Sequence, residues 1–433
     1  MKKKLIALFS LTFGSILLTS CLENTATVTD VSLDGNISDA LTCDDPISSS
    51  GEDKVLVVPL NLNETYTTSM LTTLNTALTG SSEDTGYYSL AEYINISSYN
   101  KLSLDISVSE PLTSTYTLEN YTSIIEEIKD SILNISDISS FDTDGDSYID
   151  SIYFVYANDS QSKYEYLDRY TNNFTKYVDI SLSDTLNIGN VSFVDYATLT
   201  KNYEGFYDTE SLLVDSHELI HQFGYLLGLQ DTYDFNEDEG EEGGEYHSTM
   251  MSGITGDFSS SDKTLLGWTT VKQVDGNYTI YEELDTFESS GEIIIWSDHT
   301  VTSIFDEYFI IEIYTNTLLN KDNCITGSDS IAVVKFSHVN NTLRTNSNGK
   351  IIKVKDNEYN DSAFLYDNSI SEYLRVNLVL TKDYVEDDGL TDESFITDIF
   401  SYNAKFQQTN SYGTLTLGLA SIEDDTAVVM ITV

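Results

Sequence analysis

Two histidines one helical turn apart, His217 and His221, flank Glu218 in the stretch His217-Glu-Leu-Ile-His221. On a helix, HExxH spacing turns two imidazoles toward one zinc ion, and the glutamate beside them can take the proton of a metal-bound water. Glu218 is therefore the candidate general base. Glu245 and His247 also follow nearby and read as solvated loop residues, with a replacement zinc ligand as the lesser alternative for each. A second constellation is Asp142-Thr-Asp144-Gly-Asp146-Ser-Tyr148-Ile-Asp150. Alternating aspartates with a backbone carbonyl near Tyr148 suit calcium, a hard cation that takes about 6 to 8 oxygen ligands. Ser147 stands where an EF-hand has glycine, and Tyr153 stands where it has a bidentate glutamate, so the expectation is a calcium loop of another kind feeding the next strand. The plain alternative is a solvated turn, which aspartates favour in any case.

The elements that must position these residues follow from periodicity. Ser211 to Leu229 carries Leu212, Leu219, Phe223 and Leu226 on one apolar stripe, which predicts a buried helix with the histidines on another face. Upstream, Lys54-Val-Leu-Val-Val-Pro-Leu60 reads as a buried strand and Ser69 to Leu78 as a helix. Ile124, Ile125, Ile128, Ile132 and Leu133 have helical spacing, and Ser151-Ile-Tyr-Phe-Val-Tyr156 reads as a strand. Strands alternating with helices predict an α/β body. From about Asn277 the pattern changes to strands such as Tyr308–Ile313, Ile331–Phe336 and Ala427–Val433, which predicts an all-β, sandwich-like second domain. The expected organisation is a signal peptide over 1–20, a flexible tether over 21–53, a first domain over 54–275 and a β domain over 276–433.

The chain opens Met-Lys-Lys-Lys, continues with a largely apolar stretch of fourteen residues from Leu5 to Leu18, and reaches Leu18-Thr-Ser-Cys21. That run is shorter than the roughly 18 to 20 residues of a membrane span, so it reads as a cleaved export signal. Cys21 is the expected lipidation site, which would place the protein on the outer face of the bacterial cytoplasmic membrane or the cell surface. Cys43 and Cys324 are the other two cysteines, too few for a disulfide framework, though they permit one bridge. With 21 Lys and Arg against 71 Asp and Glu the net charge is -50. That excludes nucleic acid as a partner and argues against broad contact with anionic lipid, leaving the N-terminal lipid as the membrane contact. The stretch from Asp231 to Glu245 alone carries eight acids and no base, and reads as a solvated loop that can gate a cleft.

Several stretches resemble the immune inhibitor A family of zinc metallopeptidases, whose members carry HExxHxxGxxD continuing as LGLPDxYD. Here Leu227-Gly-Leu-Gln-Asp231-Thr-Tyr-Asp234 is similar to that continuation, and the resemblance implies Asp231 as the third zinc ligand. The resemblance extends to Tyr87–Tyr93 with Ser98–Leu104, to the aspartate loop, and to Thr249-Met-Met251-Ser-Gly253, which looks like a Met-turn with Met251 beneath the metal. It also takes in Gly256-Asp-Phe258 through Lys263 to Gly267-Trp268, with Phe258 where the family commonly has histidine. It implies a metzincin-like α+β or α/β peptidase domain over about Lys54 to Trp268. Counted back from Asp231 without a gap, the family's first histidine falls on His221, its glutamate on Gln222 and its second histidine on Tyr225. Gln222, Tyr225 and Phe258 then depart from the family site together. Counted from His217, HExxH is intact and Gly224 falls on the motif's glycine, but Leu227 takes the place of the aspartate. Keeping His217 and His221 with Asp231 adds one helical turn, about 6 Å along the axis. Two readings stay open at this point. One is a non-catalytic pseudopeptidase that binds a peptide or surface protein. The other is an active zinc endopeptidase using His217, Glu218 and His221.

Overall fold

The computed structural model describes residues 27–35, 37, 46–158, 173–200, 213–232, 249–275, 279–297, 299–315 and 317–321, with the strand segments 333–340, 376–378, 405–410, 413–423 and 426–432. Cys21, Cys43, Cys324, Glu245, His247, the signal segment and most of the acidic loop lie outside the described residues. Among the described residues no helix is long and apolar enough to cross a membrane.

Among the described residues the chain is a mixed α/β protein with a seven-stranded sheet and two further sheets. In the first sheet Leu102–Val108, Gly51–Asn61, Ser151–Tyr156 and Leu186–Asp195 lie side by side and parallel. Strand Phe174–Ser183 runs antiparallel to Leu186–Asp195. A parallel sheet must be covered on both faces, and the sequence of Gly51–Asn61 shows how. Val55 and Val57 point into one cluster with Leu74, Leu90, Tyr93, Phe223 and Leu226. Their neighbours Leu56, Val58 and Leu60 point into another with Ile124, Ile125, Ile128 and Ile132. Helices Thr68–Thr79, Leu90–Ser97 and His217–Leu226 therefore cover one face, and Tyr121–Leu133 covers the other.

A six-stranded sheet runs in the order Thr27–Val31, Thr270–Asp275, Glu292–Trp296, Glu307–Tyr314, Val333–Asn340, Val376–Leu378. All of its pairings are antiparallel except that between Glu292–Trp296 and Thr270–Asp275. A four-stranded antiparallel sheet contains Thr279–Asp285, Thr426–Thr432, Gly413–Glu423 and Lys405–Asn410. One sequence expectation, the flexible tether over 21–53, needs correction here. Thr27–Val31, inside the stretch read as a tether, is an edge strand paired residue for residue with Thr270–Asp275. Ile37 and Ile47, in the same stretch, are buried in the first core. The polar composition of 21–53 hides these few apolar anchors, which hold the segment against the body.

Candidate functional site

The histidine helix is shorter than its apolar stripe suggests. It spans His217–Leu226, because the backbone N–H groups of Leu213 and Val214 donate to the Thr85 carbonyl at 2.8 and 3.1 Å instead of entering a helical ladder. Asp215 then starts the helix: its Oδ1 accepts the backbone N–H of His217 at 3.0 Å and lies 2.9 Å from the ring Nδ1. At the other end Gly228 has φ +89°, Leu229 donates to the Gly224 carbonyl and Gly228 to that of Tyr225. That is a Schellman ending, which needs the left-handed conformation glycine tolerates.

This ending folds Asp231 back over the helix. His221 Nε2 lies 3.1 Å from the Tyr225 hydroxyl and 3.4 Å from Asp231 Oδ1, and the Tyr225 hydroxyl donates to the same Asp231 oxygen at 2.5 Å. The gapless register is thus the one in which side chains converge: His221, Tyr225 and Asp231 meet. His217 sits one turn upstream, its ring stacked on Tyr87 with centroids 4.3 Å apart. Among the described residues, the aspartates of the 142–150 loop are the one group of three or more His, Cys, Asp or Glu side chains whose ligand atoms all lie within 4.8 Å of one another. His217, His221 and Asp231 form no such group.

The Thr249–Gly253 turn lies beneath. His221 Nδ1 is 2.9 Å from the Met250 carbonyl oxygen, and Thr232 N–H donates to the Met251 carbonyl at 3.0 Å, which fixes the chain beside Asp231. Met251 is packed so closely under the helix that a Cβ on Gly224 would collide with its Sδ. Burial alone would lower the His221 pKa. The Asp231 hydrogen bond and charge, the Glu218 charge and the Met250 carbonyl outweigh it, and the imidazole pKa is raised.

The residues that stand at the glutamate position in the two registers, Glu218 and Gln222, are tied to each other. Gln222 Nε2 donates to Glu218 Oε1 at 3.0 Å, while Gln222 Oε1 accepts from Thr175 Oγ1 at 2.8 Å. An amide cannot act as a general base, and this one spans Glu218 and the edge strand Phe174–Ser183. Phe258 is a core residue, packed edge-on to Tyr93 and near Trp268. The polar work of its segment falls to Asp257, which accepts from Ser97 Oγ and Lys263 Nζ, each at 2.5 Å. In the converged register the set expected from the resemblance would therefore be incomplete: one imidazole, an amide at Gln222 in place of a general base, and a phenol at Tyr225 in place of a second imidazole.

The aspartate loop is shaped by its own backbone. Asp142 accepts N–H groups from Gly145 and Ser147, and Asp146 accepts that of Tyr148. Gly145 and Ser147 both have positive φ, +82° and +78°. Asp150 separates the short strand Tyr148–Ile149 from Ser151–Tyr156 and accepts both the N–H and the hydroxyl of Thr143. Sequence reasoning missed Asp53. It is buried at the start of the central strand, and its Oδ1 accepts from Thr143 Oγ1 at 3.2 Å. Burial, then the Asp150 charge, pushes its pKa up to about 7. Burial likewise raises Asp150 to about 6, with Asp144 and Asp142 adding to it against the Thr143 hydrogen bonds. The only signal of Asp53 in the sequence is an acid directly before an apolar strand, which marks nothing by itself. Comparison with known proteins gave no matching family and no matching curated protein.

Proposed function

We propose that this chain is an exported lipoprotein, anchored through Cys21, whose α/β domain is a metzincin-like pseudopeptidase of the immune inhibitor A type, followed by a sandwich-like β domain. The observation that carries this reading is the Tyr225 hydroxyl lying between His221 and Asp231, with Gln222 in the place of the base. Its task is to bind a peptide or protein segment without cutting it. The edge strand Phe174–Ser183 supports that use. Among the described residues it pairs on one side alone, with Leu186–Asp195, and Thr175 links it to Gln222, so a strand added to its open edge would pass the degenerate site. Calcium in the loop of Asp142, Asp144, Asp146 and Asp150 is part of the same reading, supported by the convergence of the four carboxylates.

The test compares three purified, metal-replete proteins for bound zinc and peptide cleavage: the parent, Glu218→Gln, and the double variant Gln222→Glu/Tyr225→His. The expected result is no cleavage and no stoichiometric zinc in the parent, and zinc uptake by the double variant, which restores HExxHxxGxxD on His221 and Asp231. Zinc-dependent cleavage by the parent, lost in Glu218→Gln, would establish the peptidase reading instead.

A further inference from the structure

We propose that Asp53 is the positioning residue of the aspartate loop: acting through the Thr143 hydroxyl, it holds Asp150 for calcium and ties cation binding to the central strand. This rests on the calcium reading of the 142–150 loop and deepens it, because Asp53 and Thr143 are 90 residues apart in sequence.

The sheet brings the two carboxylates together. Gly51–Asn61 and Ser151–Tyr156 are parallel neighbours with Val55 opposite Ser151. Asp53 precedes that pair on one strand and Asp150 precedes it on the other, so both stand at the same end of the sheet. The backbone of Asp53 is fixed there by its ladder to Leu102–Val108, in which it stands opposite Leu104.

Asp53 also carries an uncompensated atom. It is 2% exposed, its Oδ1 accepts from Thr143 Oγ1 at 3.2 Å, and its Oδ2 is buried without a hydrogen-bond partner. The charges that bear on it most are those of Asp150 and then Asp144, both acids. A buried carboxylate is costly unless donors or a cation compensate it. A divalent cation among Asp142, Asp144, Asp146 and Asp150 would supply that compensation for Asp53 as well as for its own ligands. Asp53 acts from outside this ligand set, since it does not belong to the group of four whose ligand atoms all lie within 4.8 Å of one another.

Thr143 is the link. Its backbone N–H donates to Asp150 Oδ2 at 2.8 Å, and its hydroxyl touches both that oxygen and Asp53 Oδ1. A hydroxyl has one hydrogen, so it can point at only one of the two carboxylates. Calcium drawing on Asp150 competes for the shared oxygen and leaves the hydroxyl hydrogen to Asp53. Asp150 keeps the Thr143 N–H, and Asp53 holds Thr143 against the strand. A ligating carboxylate oriented by such outer partners is a general feature of metal sites, and losing a partner costs roughly 10- to 100-fold in affinity.

The experiment titrates the full, chelator-stripped chain with calcium chloride by calorimetry. The parent should bind one equivalent in the loop. Asp53→Asn and Thr143→Val should each weaken binding by roughly 10- to 100-fold, and Thr143→Ser, which keeps the hydroxyl, should stay near the parent. The double variant Asp53→Asn/Thr143→Val should lose no more than the weaker-binding single variant, as expected when one residue acts through the other. A merely structural role would lower melting temperatures without this pattern. Parent affinity in Asp53→Asn, losses that multiply in the double variant, or equal losses in Thr143→Ser and Thr143→Val would each overturn the inference. Melting of the metal-free variants checks their folds. Should Asp53→Asn not fold, the side-chain carboxyl carbon resonance of Asp53 in the parent decides, a shift on calcium saturation being expected and its absence fatal. Calcium bound by the parent, lost in Asp144→Ala/Asp146→Ala and unchanged in Asp53→Asn, removes this inference and leaves the loop reading standing, whereas no calcium bound by the parent removes both.

Discussion

At the residue scale, Gly224 and Asp53 make the sharpest demands. Gly224 lies over Met251, and Gly224→Ala must push that buried sulfur aside or shift the helix bearing His221. Overpacking of this kind costs about 1 to 3 kcal/mol, so urea unfolding should show a lower midpoint with an unchanged slope. Asp53 sets a pH dependence. Its carboxyl titrates at about 7 in the fold against 3.8 for an unperturbed aspartate, and Asp150 at about 6. Between those limits the folded chain holds protons that the unfolded chain has released. The metal-free protein should therefore lose stability as pH rises from about 4 to about 7, then level off. Thermal melts across that range should show the fall, and Asp53→Asn should flatten it. A metal-free protein whose melting temperature rises over the same interval would refute the assignment.

These two residues also mark how far the sequence can be read. Gly224 is visible in the sequence only as a glycine within a helical stretch, because the neighbour that requires it, Met251, lies well beyond the helix in sequence. Asp53 is not legible, because its pKa depends on a loop far along the chain and on burial that no local pattern reports. Tyr225 lies between: its spacing from His221 is plain, but by sequence it reads only as a lost histidine. Its hydroxyl contacts arise once the Gly228 turn brings Asp231 back.

At the scale of elements, the stretch from Gly256 to Trp268 acts as a brace. Lys263 is fully buried, bonds Asp257 and the Tyr99 hydroxyl, and lies 4.4 Å from the centre of the Tyr99 ring. Asp257 in turn accepts, through its backbone carbonyl, the N–H of Met250, so the ion pair holds the turn that meets His221. Removing one partner strands the other charge in the core. Lys263→Met should cost about 3 to 5 kcal/mol, and the double variant Lys263→Met/Asp257→Leu should recover part of it. A loss in the double variant equal to the sum of the losses in the two single variants would mean that the pair is not coupled. The aspartate loop makes a parallel prediction: chelator should lower the melting temperature and calcium restore it, with the response lost in Asp144→Ala/Asp146→Ala. The helices and strands of this domain are legible because a parallel sheet covered on both faces leaves apolar runs and helical stripes. The start of the histidine helix is not, since Leu212 and Leu213 continue the stripe in sequence while Leu213 bonds Thr85 and is 50% exposed.

At the scale of the whole molecule, the proposed lipid at Cys21 is the feature most open to direct test. Cys21→Ser should move the protein from the detergent phase to the aqueous phase of a partition assay, and a variant held as firmly as the parent would exclude that anchor. A net charge of -50 gives such a body no electrostatic reason to stay on an anionic surface once released.

The edge strand Thr27–Val31 gives that anchor a mechanical character. Five residues, 22–26, separate Cys21 from the strand, a reach of roughly 20 Å even fully extended. A protein so attached rides close to the bilayer rather than on a long leash. With the proposed anchor, a pull on the chain's beginning would enter at Thr27–Val31 and be shared between its pairing with Thr270–Asp275 and the backbone leading to Gly51–Asn61. The antiparallel register places Thr27 opposite Asp275 and Val31 opposite Val271, so a pull along the strand loads all five pairs in shear together instead of peeling them one by one. The clasp that fastens the chain's beginning to its second sheet would thus be the first component to feel force, and its rupture would lengthen the tether without severing the covalent link to the α/β body.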